Sequence, residues 1–280
     1  MLEDNSHNPT NLIEKYKVFF FAGGETADNK FNIFTGSFIR LMKQILADDF
    51  ELIKGIYFRS PIMNVIWALN NAQKPIEHPE IQRITIAAYM QIAGAGLSPD
   101  TQVIITSSSS GSIVAAQTTC YLAEKNKSND FFKKPFHLVL GASMIAPESE
   151  LFRQLKNYQK EGAIGIILHD EVQDEGDSSA GVGGVSRWEA YSNAFGLMFP
   201  FLSQKFERPS FLNAHPERGH IHRKRSMTVQ KAIDYVRIIL IENNLAGEYF
   251  KQKASVVLKD EIKHRFITNE KTSSLSQLEQ

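Results

Sequence analysis

The sequence lacks several features that mark large classes of protein. Its single cysteine, Cys120, cannot form a disulfide within the chain, so the fold does not depend on an oxidising compartment. Lysine plus arginine equals aspartate plus glutamate at 31 each, so there is no basic excess of the kind that nucleic-acid-binding proteins usually carry. We therefore expect no nucleic-acid partner.

Apolar segments that could cross a membrane or direct secretion are also missing. No stretch is apolar over the roughly 20 residues that a membrane-spanning helix needs. The first residues, MLEDNSHNPTN, are polar and have no basic region followed by an apolar one, so they do not resemble a secretory signal peptide. These features predict a cytoplasmic protein without a transmembrane segment, acting in the producing cell or in a cell into which it is delivered.

The chain does have an ordinary globular composition and a regular alternation of strand and helix patterns. Hydrophobic residues make up 42% of it and charged residues 22%. Continuous apolar runs predict buried parallel strands at 16–21, 52–58, 103–105, 136–142, 163–168 and 209–213. Helical patterns lie between and after them, at 37–47, 79–93, 112–122, 147–162, 186–199 and 228–243. We predict a three-layer α/β/α sandwich with a mostly parallel sheet of about six strands.

This α/β domain is expected to span 16–246. A loosely held lead-in at 1–15 precedes it, and a polar, frayed tail at 247–280 follows it. In sheets of this kind the ligand site lies at the carboxyl ends of the strands. Four segments are expected there: the glycine turn FFFAGG, the serine-rich turn SSSSGS, the acidic loop after 168, and the histidine-rich segment AHPERGHIHRKRS.

The serine-rich turn is the centre of the predicted site. It leaves a β-branched strand and enters a helix through four serines and a glycine. A turn of this kind can hold one serine as a nucleophile. It can also offer backbone N–H groups and hydroxyls to an anion at the start of the helix.

The segment VIITSSSSGSIVA is similar to the nucleophile elbow of the α/β-hydrolase family, small-x-Ser-x-Gly after a strand. The resemblance implies that Ser109 is the nucleophile, Ser107 the first small residue and Gly111 the closing glycine. It further implies an oxyanion hole formed by the backbone N–H groups of Ser110 and, in the turn FFFAGG, of Gly24, with Glu25 as a less favoured alternative to Gly24.

The same resemblance implies a base and an acid that complete a catalytic triad. The tripeptide RGH is similar to the family's frequent Gly-His after the last strand, so His220 is the expected base, with His215 and His222 as alternatives. The acid is expected after the preceding strand, where Asp170 and Asp174 both stand and the choice remains open, with a slight preference for Asp170. The implied activity is that of a serine esterase, lipase or thioesterase, which acts on a small-molecule or lipid-like acyl substrate without cofactor or metal.

Two other functions compete with this one. The segment TSSSSGS also resembles the phosphate loops of phosphosugar-binding (SIS) domains and flavodoxin-like proteins, and AGGETAD resembles the Ser-Gly-Glu-Thr loop of sugar isomerases. A phosphate-binding module would need no histidine. A hydrolase fold that has lost activity and serves as a binding scaffold is the third possibility, and the sequence leaves the oligomeric state open.

Overall fold

The structure is a computed structural model. It describes residues 15–23, 33–53, 67, 71, 79–108, 110–141, 143, 145, 149–169, 229–243, 245 and 247–276. Among these residues, no helix has both the length and the apolar character needed to cross a membrane.

A sheet of five parallel strands forms the centre of the described chain. Its spatial order is β2-β1-β3-β4-β5, with β1 at Tyr16–Phe21, β2 at Phe50–Leu52, β3 at Gln102–Ser108, β4 at Phe136–Gly141 and β5 at Ile164–His169. The register joins Phe21 to Ser107 and Ser108 to Gly141, so three strands end close together. The predicted α/β class with a parallel sheet is confirmed.

Six α-helices accompany the sheet in the described part of the chain. They are α1 at Ile33–Leu46, α2 at Pro79–Ala93, α3 at Gly111–Asn129, α4 at Glu150–Lys160, α5 at Val229–Arg237 and α6 at Glu248–Ser276. A short π-helix, Ile238–Glu242, continues α5. Ser149 caps α4, because its side-chain oxygen accepts a hydrogen bond from the amide of Phe152 at 3.2 Å.

Alternate residues of the strands belong to two separate hydrophobic clusters. In β1, Phe19 and Phe21 pack with side chains of α2, α3 and α4, whereas Val18 and Phe20 pack with those of α1, α5 and α6. Successive side chains of a strand point to opposite faces, so both faces of the sheet are buried. The helix after β1 and the helix after β3 therefore cover opposite faces of the sheet. The chain leaves these two neighbouring strands in opposite directions.

The second strand begins earlier than the sequence suggested. The apolar run at 52–58 predicts a strand there, but the structure pairs Phe50 with Val18 and Leu52 with Phe20. A 3-10 turn at Ala47–Asp49 leads directly into this pairing. Register with β1 therefore determines where the strand starts. Residues 54–58 lie outside the described part of the chain, as do the helix predicted at 186–199 and the strand predicted at 209–213.

The segment predicted as a frayed tail, 247–280, instead forms helix α6 over most of its length. Phe250, Ala254 and Leu258 recur every fourth residue and are at most 6% exposed, so they form one buried stripe among charged residues. Arg40 of α1 adds an ion pair to Glu261 at 2.6 Å. The sequence does not reveal this stripe because it consists of only three apolar residues in a polar segment. These residues nevertheless pack into the same cluster as α1 and α5.

Candidate functional site

The turn between β3 and α3 is shorter than the sequence suggested. Strand β3 continues through Ser108 and α3 begins at Gly111, so only two residues connect them. Ser110 already has right-handed helical backbone angles, φ −59° and ψ −22°. A strand that enters a helix through so short a turn is the structural context of a nucleophile elbow. Ser109 itself lies outside the described residues.

Two glycines hold this turn against the end of β1. A Cβ added to Gly23 would lie 2.7 Å from the amide nitrogen of Ser110 and would also collide with the carbonyl oxygen of Ser108. A Cβ added to Gly111 would collide with the carbonyl oxygen of Phe21. Backbone packs directly on backbone here, and any side chain at either position would separate β1 from the serine turn.

This contact brings together two of the segments that the sequence predicted to meet. Ser110, whose amide is one predicted oxyanion donor, lies beside Gly23. The next residue, Gly24, carries the other predicted donor and lies outside the described residues. The start of α3, a helix of 19 residues, is at the same place and adds the positive end of its dipole. The arrangement is suited to negative charge, on an oxyanion or on a phosphate.

The serines on either side of this turn, Ser107, Ser108 and Ser112, are buried. Ser107 is fully buried, and its hydroxyl donates to the carbonyl oxygen of Val139 at 3.1 Å, which joins β3 to β4. Ser108 is 4% exposed and Ser112 is fully buried. Burial within the strand end and the first turn of α3 therefore accounts for these three side chains.

A tyrosine that sequence reasoning missed reaches the same strand end from α5. The hydroxyl of Tyr235 donates to the carbonyl oxygen of Ser107 at 2.8 Å and lies 3.0 Å from the Oγ1 atom of Thr106. Gly141 leaves the space for it, because a Cβ at that position would lie 2.5 Å from the phenol oxygen. The sequence pattern of α5 predicts an apolar face, but it does not show that the hydroxyl of Tyr235 contacts β3.

The end of β5 marks where the predicted acidic loop begins. The Nε2 atom of His169 lies 2.9 Å from the carbonyl oxygen of Ile145, and its ring centroid is 4.9 Å from that of Phe152. The next residue is Asp170, outside the described part of the chain. So are the other predicted triad members and their alternatives, Asp174, His215, His220 and His222. The structure thus brings two of the four predicted segments together and leaves the acid and the base as predictions.

Among the described residues, the ionisable groups with perturbed pKa values lie away from this edge. His137 stands near the start of β4, where its Nδ1 atom accepts a hydrogen bond from the amide of Ile166 at 3.1 Å. Burial lowers the pKa of its imidazole. Tyr158, on α4, has its pKa raised by burial and by donation to Glu124 at 2.9 Å. Within the described residues, no group of three or more His, Cys, Asp or Glu side chains could hold a metal ion.

The described residues also line a cleft of about 300 Å³ between the ends of α2 and α3. It lies near the amino ends of the strands, opposite the serine turn. Its walls are mostly aromatic and aliphatic, with one lysine and two asparagines among them. None of the described residues that line it is a serine, histidine or carboxylate, so these residues lack the groups of the predicted triad.

No family model matches this chain, and no curated protein or solved structure matches it at a significant level. The candidate site rests on the sequence motif and on the geometry of the described strand ends.

Proposed function

We propose that this protein is a serine hydrolase of the α/β-hydrolase type, which cleaves a carboxylic ester or thioester through an acyl-enzyme on Ser109. The observation that carries the proposal is the two-residue turn between β3 and α3, packed backbone to backbone on the end of β1 through Gly23 and Gly111. A nucleophile elbow needs such a turn, and its oxyanion hole needs two chain segments whose amides lie side by side.

The proposed chemistry follows the triad pattern. Ser109 attacks the acyl carbon while His220 takes its proton, and Asp170 or Asp174 orients the imidazole. The amides of Ser110 and Gly24 stabilise the oxyanion. His220 then gives the proton to the departing alcohol or thiol. Water, deprotonated by the same imidazole, attacks the acyl-enzyme. The imidazolium then gives that proton to the serine oxygen as the acid is released.

The proposal extends to the parts of the fold that carry the acid and the base. A three-layer α/β/α sandwich with a sixth strand at 209–213 would bring the histidine-rich segment to the same sheet edge as the serine turn. Support comes from the two hydrophobic clusters, since helices already pack against both faces of the sheet. The loop after β5 would carry the acid to that edge, because parallel strands all end there. The acyl substrate is a small-molecule or lipid-like ester or thioester.

Ester turnover tests the proposal with a pair of matched serine variants. Ser109→Ala should abolish hydrolysis of short p-nitrophenyl esters, because it removes the attacking oxygen. Ser108→Ala removes a hydroxyl from the adjacent residue and should keep most of the turnover. Both variants should show the far-UV circular dichroism of the wild type. Unchanged turnover in Ser109→Ala, or equal loss in both variants, would refute the assignment of the nucleophile.

The sheet order favours one second candidate, a phosphate-binding module. The order β2-β1-β3-β4-β5 is that of flavodoxin-like folds, which bind flavin mononucleotide at the crevice between their first and third strands. The serine turn and the start of α3 lie at that crevice. This function predicts an increase in melting temperature with flavin mononucleotide or sugar phosphates, and no reaction with fluorophosphonates. The hydrolase proposal predicts no increase in melting temperature with these ligands and a covalent reaction with fluorophosphonates.

A further inference from the structure

We infer that Tyr235 is a positioning residue for the serine turn: its hydroxyl holds the carbonyl of Ser107 and thereby fixes the backbone that carries Ser109. The inference rests on the proposed hydrolase function. It concerns a residue of α5, 128 positions away from the carbonyl that it contacts.

The hydroxyl of Tyr235 is the centre of a buried hydrogen-bond chain. A phenol has one proton, which it gives to the carbonyl oxygen of Ser107 at 2.8 Å. The hydroxyl of Thr106, 3.0 Å away, then donates its own proton to the phenol oxygen. Thr106 and Ser107 are fully buried and Tyr235 is 6% exposed, so water cannot replace these bonds without a change in structure.

The surrounding chain is shaped for this contact. Gly141 lacks the side chain that would collide with the phenol, since a Cβ there would lie 2.5 Å from the oxygen of Tyr235 and 2.8 Å from that of Ser107. The ring of Phe38 packs on the tyrosine ring with centroids 5.2 Å apart. A phenylalanine at position 235 would fill the same apolar space, so only the hydroxyl bonds distinguish the two residues.

Loss of the hydroxyl would act on the turn along the backbone of β3. Ser107 lies two residues before Ser109, inside the strand that ends at the turn. Without the phenol proton its buried carbonyl loses the hydrogen bond from α5, and the strand end is held less firmly. Misplacement of a reacting group by about 1 Å can cost on the order of 100-fold in rate. We expect a smaller shift, and a decrease in kcat of roughly tenfold.

The test compares Tyr235→Phe with Tyr158→Phe. Tyr158 also loses a hydrogen bond, to Glu124, but on the outer side of α3 and α4, away from the turn. Turnover of a short p-nitrophenyl ester is measured well below the melting temperature of each variant. Tyr235→Phe should lower kcat and leave KM nearly unchanged, because the acyl contacts remain. Tyr158→Phe should change neither. A merely structural role would lower only the melting temperature.

Thr106→Val provides a second variant if Tyr235→Phe does not fold. It has nearly the same shape and removes the donor to the phenol, so it should lower kcat in the same direction, and the double variant should be less than additive. If the wild type turns over ester and both variants match it in kcat, the positioning role is wrong and the hydrolase proposal stands. If the wild type has no esterase activity, both fail together.

Discussion

The carbonyl oxygen of Phe21 occupies the space that a Cβ on Gly111 would need. The end of β1 and the start of α3 therefore touch through backbone alone. This contact holds the serine turn beside the segment that contains Gly23, and it explains why small residues are necessary on both sides.

Substitution of Gly111 by alanine should destabilise the protein. The added methyl group must displace the backbone of β1, at a cost of roughly 1–3 kcal/mol in the free energy of unfolding. Gly36 in α1 is a matched control, since a Cβ there would meet nothing within 4 Å. Gly36→Ala should stabilise by about 0.5–1 kcal/mol, because glycine is a poor helix former. Urea denaturation measures both, and equal effects would contradict the described contact.

Helix α6 should contribute to the stability of the whole domain. Leu258 is 5% exposed within the cluster that includes α1 and α5, so Leu258→Ala should lower the free energy of unfolding by about 2 kcal/mol or more. Val256 lies on the same helix and is 61% exposed, and Val256→Ala should change the free energy by at most about 0.5 kcal/mol. Negligible effects of both substitutions would show that the segment is the frayed tail that its polar composition suggests.

Stability should fall as the pH falls through the titration of His137. Burial lowers the pKa of this imidazole from its ordinary value of 6.5, and its Nδ1 atom must stay unprotonated to accept from Ile166. Below about pH 6.5 the unfolded chain therefore binds a proton that the folded chain does not, so the free energy of unfolding decreases with decreasing pH.

The contribution of His137 can be separated from that of the other histidines by substitution. His137→Gln keeps a hydrogen-bond acceptor that does not titrate. Its free energy of unfolding should fall less than that of the wild type between pH 7.5 and pH 5.5, as measured by urea denaturation. An identical decrease in the two proteins would show that another group is responsible.

The elements that sequence predicts well here are those with a local cause. The run from Tyr16 to Phe21 and the start of α2 at Pro79 follow from apolar continuity and proline placement, and the structure has both. The limits of β2 and the burial of α6 depend on partners distant in sequence. A three-residue strand such as Phe50–Leu52 is defined by its pairing with β1 rather than by its own composition.

The candidate site likewise has one contact that the sequence predicts and another that it does not. The closeness of β1 and the serine turn could be predicted, because glycines mark the end of one and the start of the helix after the other. The contact of Tyr235 with Ser107 could not, since its geometry depends on how α5 packs on β3 and on the space left by Gly141. A tyrosine on an apolar helix face is usually explained by the core alone.

Labelling with a fluorophosphonate tests the central proposal most directly. The probe forms a covalent bond to an activated serine, and peptide mass spectrometry identifies the modified residue. We predict a single adduct on Ser109 that is absent after heat denaturation and lost in both Ser109→Ala and His220→Ala. No adduct on the native protein, or an adduct on another serine, would contradict the assignment of this turn as a nucleophile elbow.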